Sequence, residues 1–306
     1  MKVFHLNFCP AGKLQGKHLL MKRKGGTGLN LSLMESVFFG LISGLTDILP
    51  VSGQAHRNLM LQLLGESGIS PLHMLLIHGG VLAALYYSCQ NHILRMVRAK
   101  KLARIPKRRR KRPLDMRSLM DFSMLKTMAI PVLLALLLYG KASALNDRKI
   151  LVSVLLFLNG IILYVPQFLP GSNRDSRTLS RVEGLWMGLG GALSVLPGIS
   201  ATGAGTSIAS VSGVDKKYAL DMTLLMCMIL NAGFMVYDLL GIISVGLSGF
   251  SFMSLITWLL SGVAAFGGAF FGIRLMRFLA ANRGYGIFAL YCWGIALFTF
   301  ILYLTI

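Results

Sequence analysis

An all-α polytopic membrane protein is predicted for this 306-residue chain, arranged as an inverted repeat in which each half is a re-entrant or broken helical hairpin followed by three transmembrane helices. Composition is the first reason: 55% of residues are hydrophobic and 14% charged, with a mean hydropathy of +0.66. Several apolar runs approach the roughly 20 residues that a helix needs to cross a bilayer. The second reason is a pair of oily stretches interrupted by polar and turn-forming residues, S-G-L-T-D-I-L-P-V-S-G-Q-A-H at 43–56 and L-P-G-I-S-A-T-G-A-G-T at 196–206. The third is that the chain partly matches itself at an offset of 148 residues.

Taken in order, residues 1–29 hold six Lys or Arg and no acid. They lack the continuous apolar core of a signal peptide and are expected to form a basic arm, disordered or lying on a surface. The first membrane repeat occupies 30–169. It opens with a broken hairpin over 30–66, and irregular backbone at membrane depth survives only where protein or a water-filled cavity satisfies its polar groups. A cavity is therefore implied. Spans follow near 71–90, 122–140 and 150–169, the second containing Pro131, which a lipid-embedded helix tolerates. A basic cytoplasmic loop is expected over 91–121. A polar linker at 170–182 leads to the second repeat, 183–306, with a broken segment at 183–210 and spans near 217–244, 252–275 and 283–306.

At the 148-residue offset Glu35 falls on Glu183, Gly40-Leu41 on Gly188-Leu189, Leu45-Thr46 on Leu193-Ser194, and Ser52 on Ser200. The order of elements repeats as well. If each hairpin enters and leaves on one side, three spans separate the copies and the second is inverted, with the polar site at the junction near the midplane.

A net charge of +20 would suggest nucleic acid in a water-soluble protein. Here the basic residues lie in ends and loops, so the pattern sets orientation and attracts anionic membrane lipids, with no nucleic acid expected. The segment from Arg95 to Arg117 holds twelve Lys or Arg, including K-R-R-R-K-R at 107–112. Placing it inside places Arg174, Arg177, Arg181, Lys216, Lys217, Arg274, Arg277 and Arg283 inside too and leaves the C-terminus outside. It also puts the N-terminal arm outside, a conflict that vanishes if the first hairpin crosses the membrane instead of re-entering. Cys9, Cys89, Cys227 and Cys292 show no metal or disulfide spacing and read as packing residues.

Asp47 is the leading functional candidate of the first break, because an ionisable group at membrane depth usually faces a cavity or a partner; a helix-end cap is the plainer role. His56, nine residues on, is expected to sit opposite it as a general acid or phosphate donor. Arg57 either reaches the pocket rim or faces solvent and headgroups. In the second break, Gly198, Thr202 and Gly203 belong to a Gly- and hydroxyl-rich stretch whose backbone N–H groups suit an anion, or else to close helix packing. Glu35 and Glu183 are site ligands or first-turn acids. Asp221 and Asp238 mark a polar path or the two ends of a span. Asn159 and Asn231 read as interhelical hydrogen-bond partners, and His73 and His78 receive no site.

The two breaks together resemble the bacterial undecaprenyl pyrophosphate phosphatase (bacitracin-resistance) family. G-L-T-D-I-L-P-V-S-G-Q-A-H is similar to its [EQ]-G-L-T-E-F-L-P-V-S-S-x-G-H pattern, L-P-G-I-S-A-T-G-A to its P-G-x-S-R-S-G-x-T, and Gly79–Ala83 to a segment between them. The similarity runs from about Leu31 to the C-terminus. It implies two re-entrant hairpins meeting at a polar pocket, and removal of the terminal phosphate of a polyprenyl pyrophosphate lipid at the outer face of the cytoplasmic membrane. It further implies His56, Ser52 and Ser200 as catalytic and Asp47 as the ligand of Mg²⁺ or Ca²⁺; beside these, Gly198, Thr202 and Gly203 are expected around the substrate from their composition, and Arg57 from its place next to His56, as a replacement for the family's guanidinium. Three pattern positions differ: the first acid is Ser43, the second serine is Gly53 and the phosphate-binding arginine is Ala201. Those losses leave a second expectation beside the enzyme, a degenerate relative that binds or flips a polyprenyl phosphate or similar anionic lipid.

Overall fold

The computed structural model describes residues 31–66, 68–170, 173–246, 250–282 and 284–305; the expected basic arm at 1–29 lies outside them. The described residues form helices and no strands: α1 (Leu33–Ile48), α2 (Gly53–Leu63), α3 (Pro71–Ala103), α4 (Met116–Leu137), α5 (Tyr139–Ser143), α6 (Lys149–Tyr164), α7 (Arg181–Ala192), α8 (Ala201–Val211), α9 (Lys216–Val245), α10 (Phe252–Asn282) and α11 (Gly286–Thr305). Six of them, α3, α4, α6 with its 3-10 extension, α9, α10 and α11, are long and apolar enough to cross a membrane. This is a multi-pass membrane protein.

The four remaining long-enough helices to matter are the hairpin arms. At 16 and 11 residues for α1 and α2, and 12 and 11 for α7 and α8, none exceeds about 24 Å at 1.5 Å per residue, short of the ~30 Å hydrocarbon core. Nor does the first pair run on as one broken span, because α2 folds back on α1 and brings Gly53 against Asp47. Both hairpins start with the same device. Ser32 and Glu35 form a capping box on α1, and Ser180 and Glu183 form one on α7, so these two acids satisfy the first backbone N–H groups and are not site ligands. Glu183 also pairs with Arg174 at 2.7 Å.

The basic loop is shorter than the expected 91–121. Helix α3 continues for 33 residues to Ala103, so Arg95, Arg98, Lys100 and Lys101 are helical, and α4 begins at Met116 under an Asp115 cap whose Oδ1 accepts from the Ser118 N–H at 3.0 Å. Long Lys and Arg stems cover apolar surface while their charges stay in water, which lets a spanning helix emerge without a break.

Glycines set how closely the hairpins approach the bundle. Helix α1 runs parallel to α10, with Gly40 against Ser261, Gly44 against Ala265, and Gly272 of α10 against Ile48; a Cβ at Gly40 or Gly44 would overlap the carbonyl oxygen of Ser261 or Ala265. Small residues allow this backbone-to-backbone packing in a membrane. Helix α7 runs parallel to α4, Gly184 meeting Met124 and Gly188 meeting Met128. Helix α9 lies parallel to α4, through Tyr218 with Asp121 and Gly233 with Leu136, and antiparallel to α3, through Asp238 with His78 and Met235 with Gly79. Helices α6 and α11 pair antiparallel through Ser153 with Thr299 and Gly160 with Trp293.

The two breaks meet tip to tip. Ser52 Oγ accepts from the Gly198 N–H (3.1 Å), Ser200 Oγ donates to the Leu49 carbonyl (3.2 Å), and Gln54 Nε2 donates to the Ser194 carbonyl (3.4 Å). Asn159, on α6, joins both: its Nδ2 donates to the Pro50 carbonyl and its Oδ1 accepts from the Ser200 N–H, each at 2.9 Å.

Two outcomes are expected from these contacts. Gly44→Leu should lower the thermal midpoint in detergent, overpacking costing about 1–3 kcal/mol, whereas Gly267→Ala, where an added Cβ meets nothing within 4 Å, should leave it unchanged. Asn159→Leu strands a carbonyl and an N–H of the breaks and should destabilise by about 2 kcal/mol or more; a midpoint equal to wild type would show that the amide is dispensable.

Candidate active site

Beside the interlocked tips lies an open cavity of about 30 Å³, and its wall includes Asp47, Gln54, Arg57, Ser200, Ala201 and Asn231. Cys227, Leu230 and Phe234 of α9 supply an apolar side. Among the described residues, one cation and one carboxylate line it. Arg57 Nη1 donates to Asp47 Oδ1 at 2.6 Å, and the arginine is 5% exposed. Arg57 therefore does not face solvent or headgroups; it sits inside the protein. Gly53 makes the pair possible, since a Cβ there would collide with the Asp47 carboxylate.

Three oxygens around this pair have no donor: Asp47 Oδ2, Gln54 Oε1 and Asn231 Oδ1. The amide orientations follow from their other ends, because Gln54 Nε2 donates to Ser194 and Asn231 Nδ2 to the Cys227 carbonyl at 3.0 Å. Asn231 is thus not an interhelical partner as expected. It bonds within its own helix and turns its carbonyl to the cavity. Asn159 is the interhelical partner expected, and its targets are the breaks themselves.

The expectation that His56 sits opposite Asp47 is not met. Consecutive helical residues point about 100° apart, and α2 is rotated so that Arg57 faces Asp47 while His56 faces α11. The His56 Nδ1–H donates to the Ser52 carbonyl (2.8 Å), which leaves Nε2 to accept from the Tyr291 hydroxyl (2.9 Å), the two rings being stacked. Ser52 itself has φ 68°, the one positive φ outside glycine among the described residues. Such strain persists only when surroundings over-determine it, and here the Gly198 N–H and His56 do so.

Of the other expected residues, Ser200 lines the cavity, yet its hydroxyl already donates to Leu49 and accepts from the Gly203 N–H (3.2 Å) as the cap of α8. The Gly198 and Gly203 N–H groups expected to cradle an anion have serine acceptors. Gly198 is needed for its φ of 114°. Thr202 is fully buried against Cys227. Gln54, Asn231 and Asn159 were passed over as site residues in the sequence; a polar amide within an apolar run was the available signal. His78, also passed over, is held by Asp238 at 2.6 Å and packs on Phe234, behind the cavity wall.

Residues 36–298 match the family described as bacitracin resistance protein BacA. The chain is 28% identical over 277 residues to the undecaprenyl-diphosphatase of Methanobrevibacter smithii, covering 88% of this chain and 97% of that protein. It is 23% identical over 272 residues to the one from Halothermothrix orenii (89% and 98% covered) and 28% over 277 residues to the one from Sinorhizobium medicae (85% and 92%). With the cavity and both hairpins, save the first three residues of α1, and all but the end of α11 inside the matched region, the chain belongs to the bacitracin resistance protein BacA family.

Proposed function

We propose that this protein hydrolyses undecaprenyl pyrophosphate to undecaprenyl phosphate and inorganic phosphate in a bacterial cytoplasmic membrane, recycling the lipid carrier of cell-wall synthesis. Family membership and the activity named for its relatives support the reaction class. The observation that carries it is the composition of the cavity: one guanidinium facing three oxygen acceptors that lack donors, beside an apolar wall. A guanidinium takes phosphate, acceptors hold water, and the apolar wall suits the start of a lipid chain.

The helix directions support the inverted repeat. Helices α1, α10 and α3 descend together, α3 meeting α10 through His73 with Trp258 and Tyr87 with Phe270, while α4, which opposes α3, ascends with α7, so the hairpins enter from opposite faces. With the basic ends of α3 and α4 inside, α9 runs outward from Lys216, and Cys227 to Phe234 lie at its middle, so the cavity sits near the midplane. In our reading the lipid reaches it from the outer leaflet.

The residues present do not fit the Mg²⁺ or Ca²⁺ expected from the resemblance. Such ions take one or two free carboxylates with further oxygens. Asp47 is the one carboxylate in the wall, and Arg57 holds one of its oxygens, placing a fixed positive charge where the ion would bind. Among the described residues no three His, Cys, Asp or Glu gather elsewhere.

In our reading the nucleophile is water. A water donating to Asp47 Oδ2 and to Gln54 Oε1 or Asn231 Oδ1 turns a lone pair towards a phosphorus held at Arg57. The new O–P bond forms as the bridging P–O bond breaks, the lipid phosphate leaves, and the water's proton passes through Asp47 to the released phosphate. Positioning and charge neutralisation make up most of phosphoryl-transfer catalysis. Ser52, His56 and Ser200 are positioning residues that hold the two tips in register.

Inorganic phosphate release from undecaprenyl pyrophosphate by the purified protein in detergent tests this. Asp47→Asn should lower the rate by about 10²-fold or more and lower the melting temperature as well, since it leaves the buried Arg57 charge without its partner. His56→Ala should lower rate and melting temperature together, since it frees the strained Ser52. Full activity in Asp47→Asn overturns the assignment.

A further inference from the structure

We propose that Arg57 is the phosphate-binding cation of this site and that it takes the place of a divalent ion, making recognition of the pyrophosphate head independent of metal. The inference rests on the phosphatase reading and assigns the charge that reading requires. Its basis is the cavity itself. Arg57 is the one cation in the wall, almost wholly buried, and ion-paired across the hairpin to the one carboxylate.

A buried ion pair is a poor stabiliser. Desolvating two charges offsets most of their attraction, and apolar replacements are often as stable or more so; at membrane depth an ionisable pair usually marks a functional site. The pair also leaves the arginine unsaturated. A guanidinium has five N–H donors in a planar fork, and Asp47 accepts from Nη1 alone among the described residues. The remaining donors suit two oxygens of a terminal phosphate in the bidentate manner. Asp47 fixes the rotamer, so the fork is preorganised before the anion arrives.

The same geometry accounts for Gly53 and Ala201. Any side chain at 53 would displace the Asp47 carboxylate from Arg57. Ala201, also in the cavity wall on the first turn of α8, offers a second mount for a guanidinium. That makes the proposal testable by relocation.

Release of phosphate by the full-length protein is measured with and without EDTA, beside binding of a fluorescent farnesyl pyrophosphate probe. Wild-type release should change less than twofold with EDTA. Arg57→Ala should lose about 10³-fold in release and at least tenfold in probe binding, with partial recovery on adding guanidinium chloride below denaturing concentrations. Arg57→Lys keeps the charge and the fold but not the fork, and should lose about tenfold. The double variant Arg57→Leu with Ala201→Arg should recover at least tenfold over Arg57→Ala. Release abolished by EDTA and restored by Mg²⁺ or Ca²⁺, or Arg57→Lys and Arg57→Ala both matching wild type in release and probe binding, overturns the proposal. Probe binding that depends on Arg57 in a wild type that releases no phosphate sinks the phosphatase reading and sustains this one.

Discussion

Everything near the site depends on one requirement: backbone that stops being helical inside a membrane must find its hydrogen bonds within the protein. Two such breaks occur, and each meets the other's need. Ser52 takes the Gly198 N–H, Ser200 reaches the Leu49 carbonyl, and Asn159 bonds to both tips at once. The tips therefore position one another. Neither hairpin presents a finished surface without its counterpart, and the cavity exists where the two surfaces fail to close.

That arrangement explains a division of labour among adjacent residues. On α2, His56 turns to Tyr291 and tightens the strained turn, while Arg57 turns to the cavity and Asp47. One residue maintains the frame and its neighbour faces the cavity. A single helical step separates the two tasks, so the rotation of α2 decides which side chain enters the cavity.

Much of the architecture was legible in the sequence. The six long apolar runs, the two interrupted stretches and the offset of 148 residues each describe a property of short segments, and the structure adds that the offset extends to matching Ser-x-x-Glu caps. Helix ends were harder. Arg95 to Lys101 look like a loop by charge, yet they continue α3, because a helix leaving the bilayer needs only side chains long enough to reach water. The facing of His56 and Arg57 was not legible at all: it is fixed by where α11 and α1 lie around α2, contacts more than two hundred residues apart in one case. Asn231 was misread for a related reason. Its partner is its own helix, and only the position of the cavity gives its carbonyl a purpose.

The seam between α1 and α10 has a mechanical meaning. Four glycines, Gly40, Gly44, Gly268 and Gly272, bring two backbones into contact along most of α1, and packed interiors of this density do not deform continuously. Helix α1 and the long α10 thus form one stiff rail, with Asp47 fixed near its inner end. A device that shuttles a head group across the bilayer has to rock one element against another. Here the element bearing the Asp47 carboxylate is bolted to the scaffold, so that side of the cavity moves only if α10 moves with it.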